Sequence, residues 1–246
     1  MTFAFEVPGY LQGHRFSDSE RFYDQNNKTF KDLAGFDDFG NGLVIDIGSP
    51  KFENIGGLTG ILLDNTYHGH FRHAITWQGS SIFVLKPKLN VAETATIYPL
   101  LFGDGQANVG ANLTVMHFSG ERRIIWKGSG GDTAPLLTFY NDDLVIFGFS
   151  NNQENRSLSS TKDGVTINSA TQNSNPDSGN EISMSSALSG CRFGNLSGTA
   201  GDTAQMTSLQ TYMFEQHFFA GDIFADHPVV AKSFMDSLKS KYGISG

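Results

Sequence analysis

Three histidines lie close together in the segment from Tyr67 to His73. On a β-strand, His68 and His70 project from the same face, as a pair of metal ligands must, because side chains alternate along a strand. His73 then points to the opposite face, and the nearest acidic residue in the sequence is Asp64. The pattern therefore favours surface or interface histidines, and a metal site at His68 and His70 is the alternative.

Oxygen-bearing side chains in two glycine-rich stretches are of the kind that calcium binds in loops. Asp104 lies near Asn108, and Asp132 could act together with Asn151 and Asn152. Each of these residues also suits an ordinary solvated turn, which needs no ion. We therefore expect no cofactor. If a metal ion such as calcium is bound, the candidate ligands are His68, His70 and Asp104.

Aromatic side chains on or near the predicted strands could bind sugars. Trp77, Trp126 and Tyr140 offer flat faces of the kind that stack on the apolar side of a pyranose ring. The strand context favours core packing for the same rings. These three residues are the candidate glycan contacts, and burial in the core is the competing interpretation.

Carboxylates are not arranged for glycoside hydrolysis, which needs a nucleophile and an acid on either side of the scissile bond. The sequence contains no Glu-x-Asp-x-Glu pattern and no Gly-x-Ser-x-Gly elbow. Asp18 and Glu20 alternate but lie in an irregular region, and Glu215, Asp222 and Asp226 are too far apart in sequence to form a local pair. We predict no catalytic residue and no enzymatic activity.

Short runs of β-branched and aromatic residues recur from about Gly42 onward, separated by clusters of Gly, Asn, Asp or Ser. This spacing is typical of a β-sandwich rather than of alternating strands and helices. Turn residues at 104–105, 141–143 and 162–164 predict hairpins and a mostly antiparallel topology. The predicted strands cover residues 43–47, 82–85, 100–102, 113–118, 124–126 and 144–149.

One helix is predicted at the C-terminal end of the chain. Pro228 suits its first turn, and Gly243 suits its end. Its apolar stripe consists of Val230, Phe234, Leu238 and Tyr242, which are four residues apart. Its lysines are expected to lie in water; they are Lys232, Lys239 and Lys241.

Residues 1–40 carry scattered aromatic side chains without a clear period. This pattern predicts an N-terminal arm that gains structure by docking in an assembly, followed by a sandwich domain at residues 41–246. The arm and a surplus of apolar surface also predict that the protein self-associates.

Composition excludes several classes of partner. The 246 residues include 17 Lys and Arg against 25 Asp and Glu, a net charge of −8, and no basic cluster suits a run of phosphates. No apolar run approaches the roughly 20 residues of a membrane span, and the N-terminus lacks the pattern of a signal peptide. The single cysteine, Cys191, cannot form an intrachain disulfide. We expect neither nucleic-acid binding nor membrane insertion.

The C-terminal part of the chain resembles the closing segment of concanavalin A-like domains of the laminin-G type. It consists of Arg192-Phe193-Gly194, a Gly/Ser-rich loop, a long strand at 209–219 and a helix ending in Lys241-Tyr242-Gly243-Ile244. Residues 80–88 resemble an early core strand of that family, and residues 162–165 resemble its Asp-Gly-Val turn. The resemblance implies an all-β fold, a two-sheet antiparallel β-sandwich of the jelly-roll type with one short C-terminal α-helix.

Domains of this family bind glycans, proteins or metal ions, decorate virus particles, or cleave polysaccharides. The leading hypothesis is a non-enzymatic virion surface protein of a tailed bacteriophage, in the head decoration or in a tail or fibre. It rests on the missing export signal, the missing disulfide and the aromatic N-terminal segment. Its partners would be copies of itself, other virion proteins and a cell-surface glycan. The alternatives are a free carbohydrate-binding lectin-like protein and, third, a polysaccharide-degrading enzyme.

Overall fold

The computed structural model describes residues 2–33, 42–63, 67–71, 79–88, 99–103, 112–118, 121–127, 133–139, 143–152, 157–171, 192–195 and 210–244. Within these residues the chain forms two antiparallel β-sheets, and a 15-residue helix follows the last strand. This architecture confirms the predicted β-sandwich with a C-terminal helix.

The first sheet has eight strands among the described residues. In order across the sheet they are β15 (Asn168–Thr171), β14 (Ser157–Thr161), β13 (Val145–Asn152), β8 (Gly79–Lys88), β17 (Gln210–Ala220), β6 (Leu58–Leu63) and β5 (Lys51–Ile55), and β1 (Tyr10–Arg15) also pairs with β17. One edge of β17 is bonded along its length to β8, and the other edge is shared between β6 and β1. The long strand β17 is therefore the centre of this sheet.

The second sheet has nine strands among the described residues. In order they are β12 (Thr133–Phe139), β11 (Glu121–Lys127), β10 (Asn112–Phe118), β9 (Pro99–Gly103), β16 (Arg192–Asn195), β7 (His68–Phe71), β4 (Leu43–Ile47), β3 (Thr29–Phe30) and β2 (Tyr23–Asp24). The six strands predicted from the sequence are all present, in β4, β8, β9, β10, β11 and β13, although β13 begins one residue after the predicted start at Leu144.

Aromatic side chains fill the space between the two sheets. Phe218 on β17 packs edge to face against Phe83 of β8 and Phe71 of the second sheet, with ring centroids 5.9 and 5.1 Å apart. Phe147 and Phe149 of β13 belong to the same buried cluster. These rings contribute strongly to the apolar surface buried between the sheets, because each aromatic side chain buries a large apolar area.

A second apolar cluster covers the outer face of the first sheet. On β8, Phe83 faces the core between the sheets, whereas its neighbours Ile82 and Val84 belong to the outer cluster, together with Phe234 and Leu238 of the C-terminal helix. This arrangement explains why the β8 run is apolar on both faces: one face meets the other sheet and the other face meets the helix.

The described residues include three α-helices, two of four residues and one of 15: α1 (Ser19–Phe22), α2 (Ile223–Asp226) and α3 (Pro228–Tyr242). The predicted end signals of α3 are confirmed, since Pro228 occupies the first turn and Gly243 adopts a left-handed φ of 65° at the C-cap. Among the described residues, no helix combines the length and the apolar character needed to cross a membrane.

Two of the predicted hairpins can be compared with the sheets in full. Residues 162–164 connect β14 to β15, which pair in antiparallel fashion, and the Asp163 carboxylate accepts the backbone N–H groups of Val165 and Thr166 at 2.8 and 2.7 Å. The hairpin predicted at 141–143 is wrong, because β12 lies in the second sheet and β13 in the first. Turn-forming residues permit a reversal but do not determine which sheet the next strand joins.

The N-terminal residues depart from the arm expected at 1–40. β1 pairs with β17 from Tyr10 to Arg15, and β2 and β3 extend the second sheet beside β4. Phe16, Phe22 and Phe30 are completely buried. The described part of this segment is therefore built into both sheets. Its aromatic residues lack a strand period because they are divided among short strands, a helical turn and two different sheets.

Truncation of the helix core tests the outer cluster. Phe234 is 3% exposed, and its ring lies 4.9 Å from that of His217 and 6.2 Å from that of Phe219. We expect Phe234→Ala to lower the free energy of unfolding by about 3–5 kcal/mol in urea titrations. The control is Val229→Ala on the same helix, where the side chain is 79% exposed and the loss should stay within about 0.5 kcal/mol. Equal effects of the two substitutions would contradict this packing.

Deletion of residues 1–33 tests whether the N-terminal strands are part of the domain. We expect the truncated chain to lose cooperative thermal unfolding, because it lacks β1 and three fully buried phenylalanines. Circular dichroism and calorimetry on both chains measure the effect. A truncated chain that keeps its β-type spectrum and a cooperative transition would restore the interpretation of an independent arm.

Candidate functional site

Three of the six residues that the sequence suggested for binding sugar or metal lie outside the described part of the chain. This holds for Trp77, Asp104 and Tyr140. Trp126 is placed by its backbone on β11, opposite Leu113, and its side chain lies outside the description. Their roles in binding sugar or metal stay predictions.

The histidine pair falls on β7, where the backbone of His68 lies opposite Ile47 and its side chain is outside the description. The Nδ1 atom of His70 lies 2.8 Å from Oδ2 of Asp46, which the β4–β7 pairing brings alongside. In the part of the chain that the structure describes, the carboxylate closest to His70 is therefore that of Asp46, which lies farther away in the sequence than Asp64. Within the described residues, no three His, Cys, Asp or Glu side chains group as metal ligands would.

A cluster of charged and hydrogen-bonding side chains lies instead on the outer face of the first sheet, under α3. We call it the Glu215 cluster; it consists of Arg15, Glu215, His217, Lys241 and Tyr242. Glu215 and His217 are two residues apart on β17 and share a face, with side chains only 3% and 1% exposed. A break in the register of β17 between Met213 and Glu215 places this face toward the helix.

The Glu215 carboxylate contacts every other member of the cluster. Its Oε1 atom is 3.0 Å from Nε2 of His217. Its Oε2 atom accepts the Tyr242 hydroxyl at 2.6 Å, is bonded by the Lys241 ammonium group, and lies 3.5 Å from Nε of Arg15. Lys241 is thus not simply solvated, as its position on the helix suggested. Three elements, β1, β17 and α3, meet at one carboxylate.

These contacts determine the charges in the cluster. Burial alone would raise the pKa of Glu215, but the hydrogen bond from His217 and the positive charges of Lys241 and Arg15 outweigh it and hold the pKa well below its usual range. Burial lowers the pKa of His217 despite the neighbouring carboxylate. At neutral pH, Glu215 is therefore ionised, and a neutral His217 donates its Nε2–H to the carboxylate.

Gly13 on β1 is required for the close approach of its strand to this cluster. A Cβ atom at this position would lie 2.5 Å from Nδ1 of His217 and 2.8 Å from the Tyr10 hydroxyl. Its N–H donates to Oδ1 of Asp32 at 2.9 Å, and the Tyr10 hydroxyl donates to the same atom at 3.0 Å. A larger residue would push β1 away from β17, so the glycine keeps Arg15 within reach of Glu215.

A cavity of about 300 Å³ opens beside the Glu215 cluster. Its floor includes Glu215, His217 and Arg15, and one wall is the α3 surface. The lining residues are Thr2, Phe3, Ala4, Phe5, Arg15, Leu33, Glu215, His217, Phe234, Ser237, Leu238 and Lys241. The cavity thus combines apolar walls with charged groups at one end, as ligand pockets commonly do.

The N-terminal residues form the rim of this cavity. The Thr2 N–H donates to Oγ of Ser237 at 2.9 Å, which ties the segment to α3. The following 3₁₀ turn, Ala4–Glu6, holds the rings of Phe3 and Phe5 in a parallel stack, with centroids 5.3 Å apart and planes 4° apart. Both side chains are about half exposed, at 50% and 55%. The rim therefore presents an aromatic surface to solvent.

Sequence reasoning missed this site because its members come from both ends of the chain. The one local signal was the spacing of Glu215 and His217, which puts an acid and a potential partner on the same face of a predicted strand. Their other partners, Arg15 and the helix residues, come together only through the β1–β17 pairing and the docking of α3.

Replacement of the buried carboxylate tests the cluster. We expect Glu215→Gln to lower the free energy of unfolding at pH 7 by about 3–5 kcal/mol, because the cations would lose their buried partner. Glu53→Gln is the control, since Glu53 accepts one hydrogen bond from Tyr212 in a more exposed place and should cost about 1 kcal/mol.

The loss of stability in the Glu215→Gln variant should also depend on pH. The folded-state pKa of Glu215 is lowered, so its stabilising contribution is complete above the unfolded value of about 4.3 and is lost as the pH falls toward the folded value. The difference in stability between the wild type and Glu215→Gln should narrow between about pH 5 and pH 3. A difference that is constant over this range in urea titrations would contradict an ionised, paired Glu215.

Comparisons with known proteins show the fold. No family model matches the chain, and no curated protein sequence matches it. Among solved structures, domain 4 of AbnA, a GH43 extracellular arabinanase from Geobacillus stearothermophilus, in complex with arabinotriose, superposes with a TM-score of 0.57 at 13% identity, covering 92% of this chain and 99% of that one.

The binding domain of botulinum neurotoxin serotype D superposes with a TM-score of 0.56 at 12% identity, over 94% of this chain and 51% of that one. The binding domain of botulinum neurotoxin DC, in complex with rat synaptotagmin II, gives 0.56 at 9% identity, over 94% and 52%. This chain thus spans about half the length of the neurotoxin binding domains it matches. At these identities the likeness establishes that the chain has the β-sandwich fold of these domains.

Proposed function

We propose that this chain is a non-enzymatic, lectin-like binding domain that holds a carbohydrate in the cavity between its N-terminal residues and α3. The observation that carries the proposal is the pairing of a stacked aromatic rim, Phe3 and Phe5, with charged hydrogen-bonding groups at the base of the same cavity. A sugar presents one apolar face and a ring of hydroxyl groups, and the two halves of this cavity match those two kinds of surface.

The size of the cavity is in keeping with a small ligand. Its volume of about 300 Å³ lies at the lower end of the range for small-molecule sites, which is roughly 300–1,000 Å³. The rim residues are exposed before any ligand binds, so a sugar can reach the rings without displacing a core side chain.

Structures with this fold include carbohydrate-binding ones, which supports the proposal. Domain 4 of the arabinanase AbnA was solved with arabinotriose, and cell entry of botulinum neurotoxin type C depends on interaction with two ganglioside molecules. A second kind of partner is represented by the synaptotagmin II complex of the neurotoxin DC domain.

The chemistry of the cavity favours binding over hydrolysis. A glycosidase needs one carboxylic acid that can donate a proton and a second carboxylate across the bond, at about 5–9.5 Å. Glu215 is ionised and engaged by Tyr242, Lys241 and His217, so it has no proton to give. Among the described residues, no second carboxylate lines the cavity.

Trp77, Trp126 and Tyr140 remain the competing glycan contacts. The backbone of Trp126 belongs to the second sheet, whereas the cavity lies on the outer face of the first sheet. A sugar held by Trp126 would therefore occupy a different place, and mutagenesis can separate the two.

A role on the surface of a tailed-phage virion is the finer part of the proposal. It is supported by exposed apolar side chains that could contact other copies or other virion proteins: Phe3, Phe5, Val165, Ile167 and Val229. Analytical ultracentrifugation of the full chain tests the self-association this role requires. A monomer at every concentration would count against it and leave the lectin-like alternative.

The carbohydrate proposal is tested on a glycan array, followed by calorimetric titration of the sugars that bind. We expect Phe5→Ala to weaken binding by up to about tenfold, since an aromatic stack contributes about 0.5–1.5 kcal/mol. Val229→Ala, another exposed apolar position, should leave the affinity unchanged. Absence of any bound glycan would overturn the proposal, and a loss in Trp126→Ala but not in Phe5→Ala would move the site to the second sheet.

A further inference from the structure

The charges of the residues that line the cavity do not cancel. Arg15 and Lys241 are cationic, Glu215 is the one carboxylate in the described lining, and His217 is neutral. The lining therefore carries one excess positive charge, in a chain whose net charge is −8. Because apolar side chains make up much of the lining, this excess is felt more strongly by a ligand than it would be on an open polar surface.

The Arg15 side chain is held in place but only partly used. Its Nε atom faces Oε2 of Glu215 at 3.5 Å, and its guanidinium group lies over the ring of Phe22, 5.4 Å from the centroid. Its side chain is 30% exposed, and its two terminal nitrogens make no hydrogen bond to any residue that the structure describes. A planar guanidinium group with both terminal nitrogens available is suited to bind a carboxylate with two parallel hydrogen bonds.

Lys241 provides a second cation at the same end of the cavity. Its ammonium group bonds to Glu215 and lies 4.8 Å from the centre of the Tyr242 ring, and its side chain is 30% exposed. Burial lowers the pKa of Lys241 even though Glu215 acts to raise it. An additional anion beside Lys241 would favour its charged form.

We infer that the cavity selects an acidic sugar, whose carboxylate is bound by Arg15 and Lys241 while its ring lies against the Phe3–Phe5 rim. This inference rests on the proposed carbohydrate function and adds the charge of the ligand. Neutral sugars lack the group that the two cations would bind, so they leave the excess charge of the cavity uncompensated.

The decisive comparison uses the wild-type chain and two ligands that differ in one group. Methyl glucuronide carries a carboxylate where methyl glucoside carries a hydroxymethyl group, and an array of paired acidic and neutral sugars extends the comparison. We expect acidic sugars to bind at least about tenfold more tightly, with the preference reduced by 0.5 M NaCl. Sodium acetate alone should not compete at the same concentration, which separates a sugar acid from any free carboxylate.

The outcomes distinguish this inference from the proposed function. Equal binding of acidic and neutral sugars would overturn the inference and leave the carbohydrate proposal standing. Binding of neither kind would overturn both. Competition by acetate as effective as that of the acidic sugar would show an anion site without sugar recognition, and this too would overturn the inference.

Substitutions of Arg15 test whether the preference for acidic sugars arises in this cavity. Arg15→Gln should abolish most of the preference for acidic sugars, and Arg15→Lys should retain part of it because the charge remains but the planar fork does not. Arg21→Gln is the matched control, since the Arg21 guanidinium also lies over Phe22, at 5.3 Å, but Arg21 does not line the cavity. Thermal unfolding of each variant verifies the fold. An unchanged preference in a folded Arg15→Gln variant would overturn the assignment.

Discussion

The burial of one ionised carboxylate organises the outer face of this sandwich. Taking Glu215 out of water costs several kcal/mol unless charged and hydrogen-bonding partners replace the solvent. Here the replacements come from β1, β17 and α3 together, through Arg15, His217, Lys241 and Tyr242. None of these three elements can move away without exposing an unpaired charge in an apolar layer, so the two ends of the chain are held to the central strand of the first sheet.

The same groups that satisfy Glu215 also form the base of the cavity. The helix and the N-terminal residues close over β17, and the Thr2–Ser237 hydrogen bond sets the rim in place above the cluster. Because the described lining contains two cations and one carboxylate, it leaves one positive charge beside an aromatic rim. A device that stabilises the fold thereby supplies the chemistry on which the proposed recognition of a sugar, and of an acidic sugar in particular, depends.

The two apolar layers have different tasks. The aromatic core between the sheets, centred on Phe218, holds the sandwich together and contains the inward side chains of both sheets. The outer cluster under α3 holds the helix, and it is here that polar groups enter the apolar layer. A binding site on the outer layer leaves the main core untouched, so a substitution at the exposed Phe5 can change recognition at little risk to the sandwich.

Local pattern in the sequence was enough to predict six of the strands, the C-terminal helix and the all-β class. Runs of β-branched residues such as 43–47, Pro228 in the first turn and Gly243 at the end each act over a few residues, and each was found where it was expected. Tertiary structure alone decided that β1 pairs with a strand some 200 residues later, that β12 and β13 belong to different sheets, and that Arg15 reaches Glu215. The physical reason is that register, sheet membership and the compensation of a buried charge depend on packing between distant segments, which no local spacing of residue types specifies.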